Sequence, residues 1–368
     1  MIPVSRPYLP DRSRLNKYID RIYSSCCLTN NGELLKELTL RLEEYLGVTN
    51  LLLVGNGTLA LQVAYRALGL GRDGERASEA ITTPFSFIAT SSSLKWEGVQ
   101  PVFADIDSET WCLDPGQVER NINERTVGLV PVHVFGNGCD IEALDRIAKH
   151  HGLKVIYDGA HAFGVKFKGR SILQHGDATT LSFHATKLFH TIEGGAIIFR
   201  HRDSLDKAKL MINFGLSEDS SIVSLGINCK MNEFQAAMGL CVLDDIGTII
   251  ASRMEICSQY QRSLEGWVGF QRHNPSCTKN YAYFPVLFDN EAELIKVKKA
   301  LEERGFFPRR YFYPSLESVS HIAAFDTIQE KSRRVSEQVL CLPVFPGLSM
   351  AEVELVCELI KKCVSRTS

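Results

Sequence analysis

Through the first two thirds of the chain, short apolar runs rich in β-branched residues alternate with stretches of helical periodicity. The runs LLLV (51–54), AITTP (80–84), PVFADI (101–106), VGLVPV (127–132), KVIYD (154–158), TTLSF (179–183) and GAIIF (195–199) predict strands. Several are apolar at consecutive rather than alternate positions, which predicts burial on both faces. Helical patterns at 57–70, 86–97, 115–124 and 140–151 lie between them, the last opened by Asp140 as an N-cap and closed by Gly152. This βαβ wiring predicts an α/β fold with a seven-stranded, mostly parallel sheet covered by helices.

Beyond about residue 232 the pattern changes. One long helical stretch (232–266) leads into strand-like YAYFPVLF (281–288), a helix over 291–305 and a last helix near 350–364. Asp289 and Asn290 punctuate the step from strand to helix. These elements predict a large α/β domain (1–245) and a smaller α+β domain (246–368) joined through the long helix. The amino-terminal segment, with a helix over 33–46, is expected to pack across the two.

Composition narrows the function classes. With 41 Lys+Arg against 43 Asp+Glu the net charge is −2, which leaves no basic footprint for nucleic acid. No apolar run approaches the roughly 18 residues of a membrane span, and the amino terminus turns charged too early for a signal peptide. A soluble, cytoplasmic protein is expected. The eleven cysteines are dispersed. None falls in a zinc or C-x-x-C pattern, so buried reduced thiols are expected and a metal is not.

Candidate chemistry comes from three places. V-G-N-G-T-L-A (54–60) follows a strand and opens a helix, so Gly57 and Thr58 supply either an anion cradle at a helix N-terminus or a plain capping turn. A dinucleotide site would need an acid about 20 residues on, closing the next strand; that strand ends Thr82-Thr83-Pro84, and the nicotinamide reading fails. Asp158 closes a strand where α/β sheets bind ligands, or else caps a helix or pairs in a salt bridge; His161 follows three residues later. Lys187 follows the strand ending near Ser182, within SFHATKLFHTIEGGA (182–196). It is either a surface charge or a desolvated amine of lowered pKa, usable as a nucleophile toward a carbonyl. Ser182 and Thr186 are strand and turn residues or phosphate donors. A phosphate cradle, a strand-end Asp and a later lysine together are what pyridoxal phosphate requires.

At these residues the chain resembles the DegT/DnrJ/StrS sugar-nucleotide aminotransferases, a fold-type I pyridoxal-phosphate family. The similarity runs through NGTLAL (56–61), TTPFSFIAT (82–90), PVFADID (101–107), DGAHAFG (158–164), SFHATKLFHTIEGGA, GINCKMNEFQAAMG (226–239) and RRYFYPSL (309–316). The resemblance implies a homodimer with active sites at the subunit interface. It makes Lys187 the Schiff-base lysine and proton shuttle and Asp158 the partner of the pyridine nitrogen. Phe87, otherwise a core aromatic in a helix, becomes the residue stacked on the cofactor ring. Gly57, Thr58 and Ser182 become phosphate contacts, and His161 lies beside the ring hydroxyl. Asn228, otherwise a turn residue, reaches the phosphate from the neighbouring subunit. His184, Arg309, Arg310 and Tyr311 are substrate candidates, with structural or surface roles as the alternative.

The reaction implied is transamination, with L-glutamate as donor and a nucleotide-linked keto-deoxysugar as acceptor. LTNNG (28–32), NFG (213–215) and RRYFYPSL resemble most the dTDP-4-keto-6-deoxyglucose 4-aminotransferases. A 3-keto or UDP-linked sugar is the alternative within the fold, and a non-catalytic cofactor- or sugar-binding regulator the alternative outside it. Retention of Lys187 disfavours the branch that carries histidine there and dehydrates its substrate.

Overall fold

The computed structural model describes residues 1–71, 78–323 and 328–364. Its central sheet contains β1 (Leu51–Val54), β2 (Glu79–Thr82), β3 (Gln100–Phe103), β4 (Thr126–Val130), β5 (Lys154–Asp158), β6 (Ala178–Ser182) and β7 (Gly195–Phe199), in the spatial order β1-β7-β6-β5-β4-β2-β3. All seven predicted runs are present. Six strands run the same way; β7 is antiparallel to both neighbours, with Gly195 opposite Ser182 on one side and Val54 on the other. The return through 183–194 closes on itself, with the Phe183 and Ala185 amides donating to the Gly194 and Ile192 carbonyls at 2.8 and 2.7 Å, and so brings β7 back beside β6 in the opposite direction.

Burial on both faces is visible in the side-chain alternation. Leu51 and Leu53 of β1 face one hydrophobic layer while Leu52 and Val54 face another, and Ala196/Ile198 and Ile197/Phe199 of β7 divide in the same way. One layer is covered by α3 (Gly57–Ala67) and α7 (Arg202–Met211); the other includes the leucines of α2 (Glu33–Leu46), α6 (Ile141–His151) and α8 (Glu233–Asp244). As the sequence predicts, Asp140 caps α6 through the Ala143 amide and Gly152 ends it in the left-handed region. The start of α2 has a different solution. Gly32 has no capping side chain, and the buried carboxylate of Glu233 accepts the Leu34 and Leu35 amides at 2.8 and 3.0 Å from a remote helix.

The predicted single long helix is two, α8 and α9 (Ile246–Leu264), bent by 61°. Asp245 leaves helical geometry at the break, with its carboxylate held by Tyr8 Oη at 2.9 Å and by Arg14. Helix α9 starts in the sheet's core, at Ile246 and Ile249, and ends in a second core, at Ile256 and Leu264. That second core lies between α9, α10 (Glu291–Glu303), α12 (Met350–Cys363) and a three-stranded antiparallel sheet of β8 (Gly269–Phe270), β9 (Pro285–Leu287) and β10 (Val339–Cys341). Ile2–Pro3 pairs in parallel with Phe306–Phe307 beside it. The predicted strand 281–288 is ordered as β9 only over 285–287, because Asn280, Ala282 and Tyr283 are drawn toward the core of the central sheet while Tyr281 and Phe284 pack in the second core. Asn280 Nδ2 donates there to the carbonyls of His161 and Phe163 at 2.8 and 3.0 Å. Among the described residues no single helix is long and apolar enough to cross a membrane, and no group of metal-ligating side chains forms.

Candidate active site

Strands β1, β2, β5 and β6 all end at one edge of the sheet, where β7 begins. Chain reversals at that edge bring together residues far apart in sequence, as expected for ligand sites of α/β sheets. Asn56 caps α3 by accepting the Leu59 amide at 2.9 Å, which leaves the amides of Gly57 and Thr58 as first-turn donors not used by the helix. Gly57 lies against Ser182: a Cβ on Gly57 would stand 2.9 Å from the Ser182 Cβ and 3.2 Å from its Oγ. Gly195 is required just beneath, since its Cβ would stand 2.6 Å from the Asn56 carbonyl oxygen. Two free amides, a hydroxyl and a helix N-terminus form a cradle for an anion.

Asp158 ends β5 at 6% exposure. Its Oδ1 accepts the Ala160 amide at 3.0 Å and its Oδ2 the Thr90 hydroxyl at 2.8 Å; Thr90 in turn bonds Ser86 at 2.9 Å. Burial pushes this carboxyl above the usual range, opposed by those two hydrogen bonds and by the charge of Lys187. Such an acid is stabilised in its charged form by a cation placed opposite it.

Lys187 shares a small cleft with His161, Ser182, Ala160 and Tyr283. Burial lowers its pKa against the opposing pull of Asp158 and Tyr311, which favours the nucleophilic free amine. Its Nζ donates to the Tyr283 hydroxyl at 3.2 Å. His161 is buried, and burial together with Lys187 holds it well below its ordinary pKa, so it is neutral. Its Nδ1 accepts the Phe135 amide at 3.2 Å; the neutral ring therefore carries its proton on Nε2, which is left as a donor.

Phe87 is not in a helix and not in the core. It precedes α4 (Ala89–Trp96) and is 57% exposed, while Phe85 takes the buried position against Trp111 and Phe135. Asn228 is exposed at the root of a projection in which it bridges Asn213. His184 is exposed and closes its own turn, with Nδ1 2.8 Å from the Thr186 hydroxyl and Nε2 3.6 Å from Glu193. The three residues at 309–311 separate. Tyr311 meets Tyr283 edge-on at 5.9 Å, beside the cleft, whereas Arg309 is exposed and its backbone pairs with Cys341. Arg310, expected toward substrate, is instead committed beside α10: it pairs with Glu291 at 2.6 Å and stacks on Tyr313 at 3.5 Å. Two residues that sequence reasoning left without a role belong to the site. Thr90 sits in a helix whose buried face is unusually polar (Thr90, Ser91, Ser93), a signal open to a sequence reading. Tyr283 has no local signal, being 96 positions from Lys187.

An anion cradle, a buried acid, a desolvated lysine and an exposed aromatic at one sheet edge fit pyridoxal phosphate, and with this topology they define a fold-type I pyridoxal-phosphate enzyme. Residues 11–361 match the DegT/DnrJ/EryC1/StrS aminotransferase family, and the chain belongs to it. It is 38% identical to the dTDP-4-amino-4,6-dideoxy-D-glucose transaminase of Shigella dysenteriae and 35% identical to that of Escherichia coli, each over 98% of both chains. Among solved structures it resembles DesI, crystallised in the presence of its TDP-sugar product, with a TM-score of 0.91 and 32% identity over 98% of this chain and 92% of that one. The protein is a pyridoxal-phosphate-dependent aminotransferase.

Proposed function

We propose that this enzyme transfers the amino group of L-glutamate to the 4-ketone of dTDP-4-keto-6-deoxy-D-glucose, giving the 4-amino sugar. The carrying observation is the convergence of Lys187, Asp158, His161, Ser182 and Gly57 on one sheet edge, in a chain 38% identical to a transaminase of that sugar. Both relatives above are named for a dTDP-linked 4-amino sugar, which favours C4 and dTDP over a 3-keto or UDP-linked substrate. The intact lysine and acid disfavour a non-catalytic regulator.

When bound, pyridoxal phosphate supplies an aldehyde that takes up amines and a protonated ring that spreads the electron pair left on the reacting carbon. Lys187 would hold the aldehyde at rest, and its free amine would move a proton to and from the α-carbon of the donor; a pKa lowered by burial suits it to both directions. Asp158 would keep the proton on the ring nitrogen. His161 would donate Nε2–H to the ring oxygen, Gly57, Thr58 and Ser182 would hold the phosphate, and Phe87 would stack on the ring. Arg309 and Tyr311 remain the candidates for substrate contact.

The active unit is a homodimer. Its support is the projection over 213–228, where Ile222 is 80% and Leu225 70% exposed and Phe214, Val223 and Ile227 are also exposed. An apolar patch of this kind marks an interaction surface, and Asn228 at its root completes the neighbour's cradle. The eleven cysteines are all free, seven of them buried, in keeping with the reducing cytoplasm.

The test is the visible spectrum of the protein with pyridoxal phosphate. The band should disappear on adding L-glutamate and return with dTDP-4-keto-6-deoxy-D-glucose. Lys187→Ala should abolish turnover with the fold intact; full activity in that variant sinks the assignment.

A further inference from the structure

Lys187 meets Tyr283, in the segment that leads into β9. Its Nζ donates to the Tyr283 hydroxyl at 3.2 Å and lies 5.8 Å from the centroid of the same ring. Tyr283 is fixed from both sides. Its ring meets His161 edge-on at 4.7 Å and Phe135 at 5.5 Å. Its backbone follows a brace: Asn280 Nδ2 is anchored on the carbonyls of His161 and Phe163, and Asn280 Oδ1 accepts the Ala282 amide at 3.2 Å. The peptide joining Ala282 to Tyr283 is then gripped by Arg253, whose Nη1 donates to the Ala282 carbonyl at 3.1 Å.

Arg253 is an unusual residue for such a task. It lies within α9 at 3% exposure, and its Nε is buried without a hydrogen-bond acceptor. Burying a guanidinium opposes folding unless hydrogen bonds or charges offset its lost hydration. Here the one bond it makes sets the backbone position of the residue that meets Lys187.

We propose that Tyr283 is the resting partner of the Lys187 amine, holding Nζ in place whenever the lysine is not joined to the cofactor, and that Arg253 and Asn280 are positioning residues that fix Tyr283. The proposal rests on the assignment of Lys187 made above. In transamination the lysine is displaced by the incoming donor amine and must then move a proton at the carbon beside it. An unrestrained lysine side chain has several rotors over which to wander. A phenol is a suitable anchor because it is neutral. Burial and Cys341 hold the Tyr283 hydroxyl protonated against the opposing pull of Arg253, so it accepts from the amine without adding a second anion to that of Asp158. His161, neutral, and Tyr311 are the other titratable groups facing this amine. A carboxylate in place of Tyr283 would keep the lysine charged and unreactive.

Tyr283→Phe removes only the hydroxyl and leaves the ring among its aromatic neighbours. In the cofactor-loaded enzyme, kcat should fall by about 10- to 100-fold, the scale of a misplaced reacting group. KM for both substrates should stay within about twofold, and the pH midpoint for the rate at which the apo enzyme takes up pyridoxal phosphate, which reports the free Lys187 amine, should move down, since an acceptor of the protonated nitrogen is gone. Asn280→Asp, which keeps the acceptor but loses both donors, and Arg253→Lys should give the same kcat-over-KM split in weaker form. Wild-type kcat in Tyr283→Phe, or a loss traceable entirely to cofactor affinity or thermal stability, overturns the proposal. If Tyr283→Phe does not fold, the split in Asn280→Asp decides by the same criteria. Borohydride reduction of the wild-type enzyme followed by peptide mass mapping tests separately whether Lys187 carries the cofactor, so failure of that assignment is distinguishable from failure of this one.

Discussion

Thr90→Val isolates the support of Asp158. Valine nearly preserves the shape of threonine at this buried position but deletes the hydroxyl that donates to Asp158 Oδ2 at 2.8 Å and bonds Ser86 at 2.9 Å. A hydrogen bond to a charged group contributes about 1.5–3 kcal/mol, or about 1–2 pKa units at 1.36 kcal/mol per unit. Burial already holds this carboxyl above its ordinary pKa, and the substitution should raise it further by that amount. Its sign is definite. An acid whose folded pKa exceeds its unfolded value binds more protons in the folded state between the two, so it takes stability away as pH rises through that window. The apo form of Thr90→Val should therefore lose more stability than wild type between about pH 4 and the raised folded pKa. A neutral acid cannot hold the ring nitrogen's proton, so cofactor affinity should fall about 10- to 100-fold, most at the acid end of the range. Cofactor titration by absorbance across pH, with thermal unfolding of the apo form beside it, measures both. Wild-type affinity with an unchanged pH dependence would refute the role given to Thr90 and, with it, the need for a charged Asp158.

Other perturbations probe separate parts of the structure. Gly57→Ala puts a methyl group 2.9 Å from the Ser182 Cβ and 3.2 Å from its Cα at the cradle; equilibrium dialysis with pyridoxal phosphate should show affinity reduced by about 10-fold or more, the scale of one lost charge-assisted hydrogen bond, and the apo form should also lose thermal stability because the Ser182 backbone must shift. Glu233→Ala strips the acceptor from two buried amides at the start of α2 and should cost about 3 kcal/mol in urea unfolding, two such bonds at the low end of their range. Ile222→Glu places a charge on the exposed apolar projection; light scattering should find monomer, with activity falling in parallel and the monomer's fold retained by circular dichroism.

How much of this was legible beforehand varies by the range of the signal. The strand runs were readable because sheet-core residues must be apolar on both faces: Leu51 to Val54 divide alternately between two hydrophobic layers, which requires a continuous run rather than an alternating one. The caps of α6 were readable because Asp140 and Gly152 act within one turn of their own helix. Phe87 was not. Its apolarity reads as core, and only packing reveals that Phe85 takes the interior position and leaves Phe87 facing outward. Arg310 was likewise indistinguishable from Arg309 until Glu291 and Tyr313 were seen around it.

The sequence by itself determined the order of strands and helices, the placing of Asp158 at a strand end and of Lys187 after one, and the family, because each rests on contiguous residues. Tertiary structure alone decided the reversal of β7, the 61° break at Asp245 held by Tyr8 and Arg14, and the meeting of Tyr283 with Lys187. Each of these joins segments far apart in the chain. The energy that fixes them comes from burial and from hydrogen bonds that exist only once the two segments are packed together, and no local pattern records it.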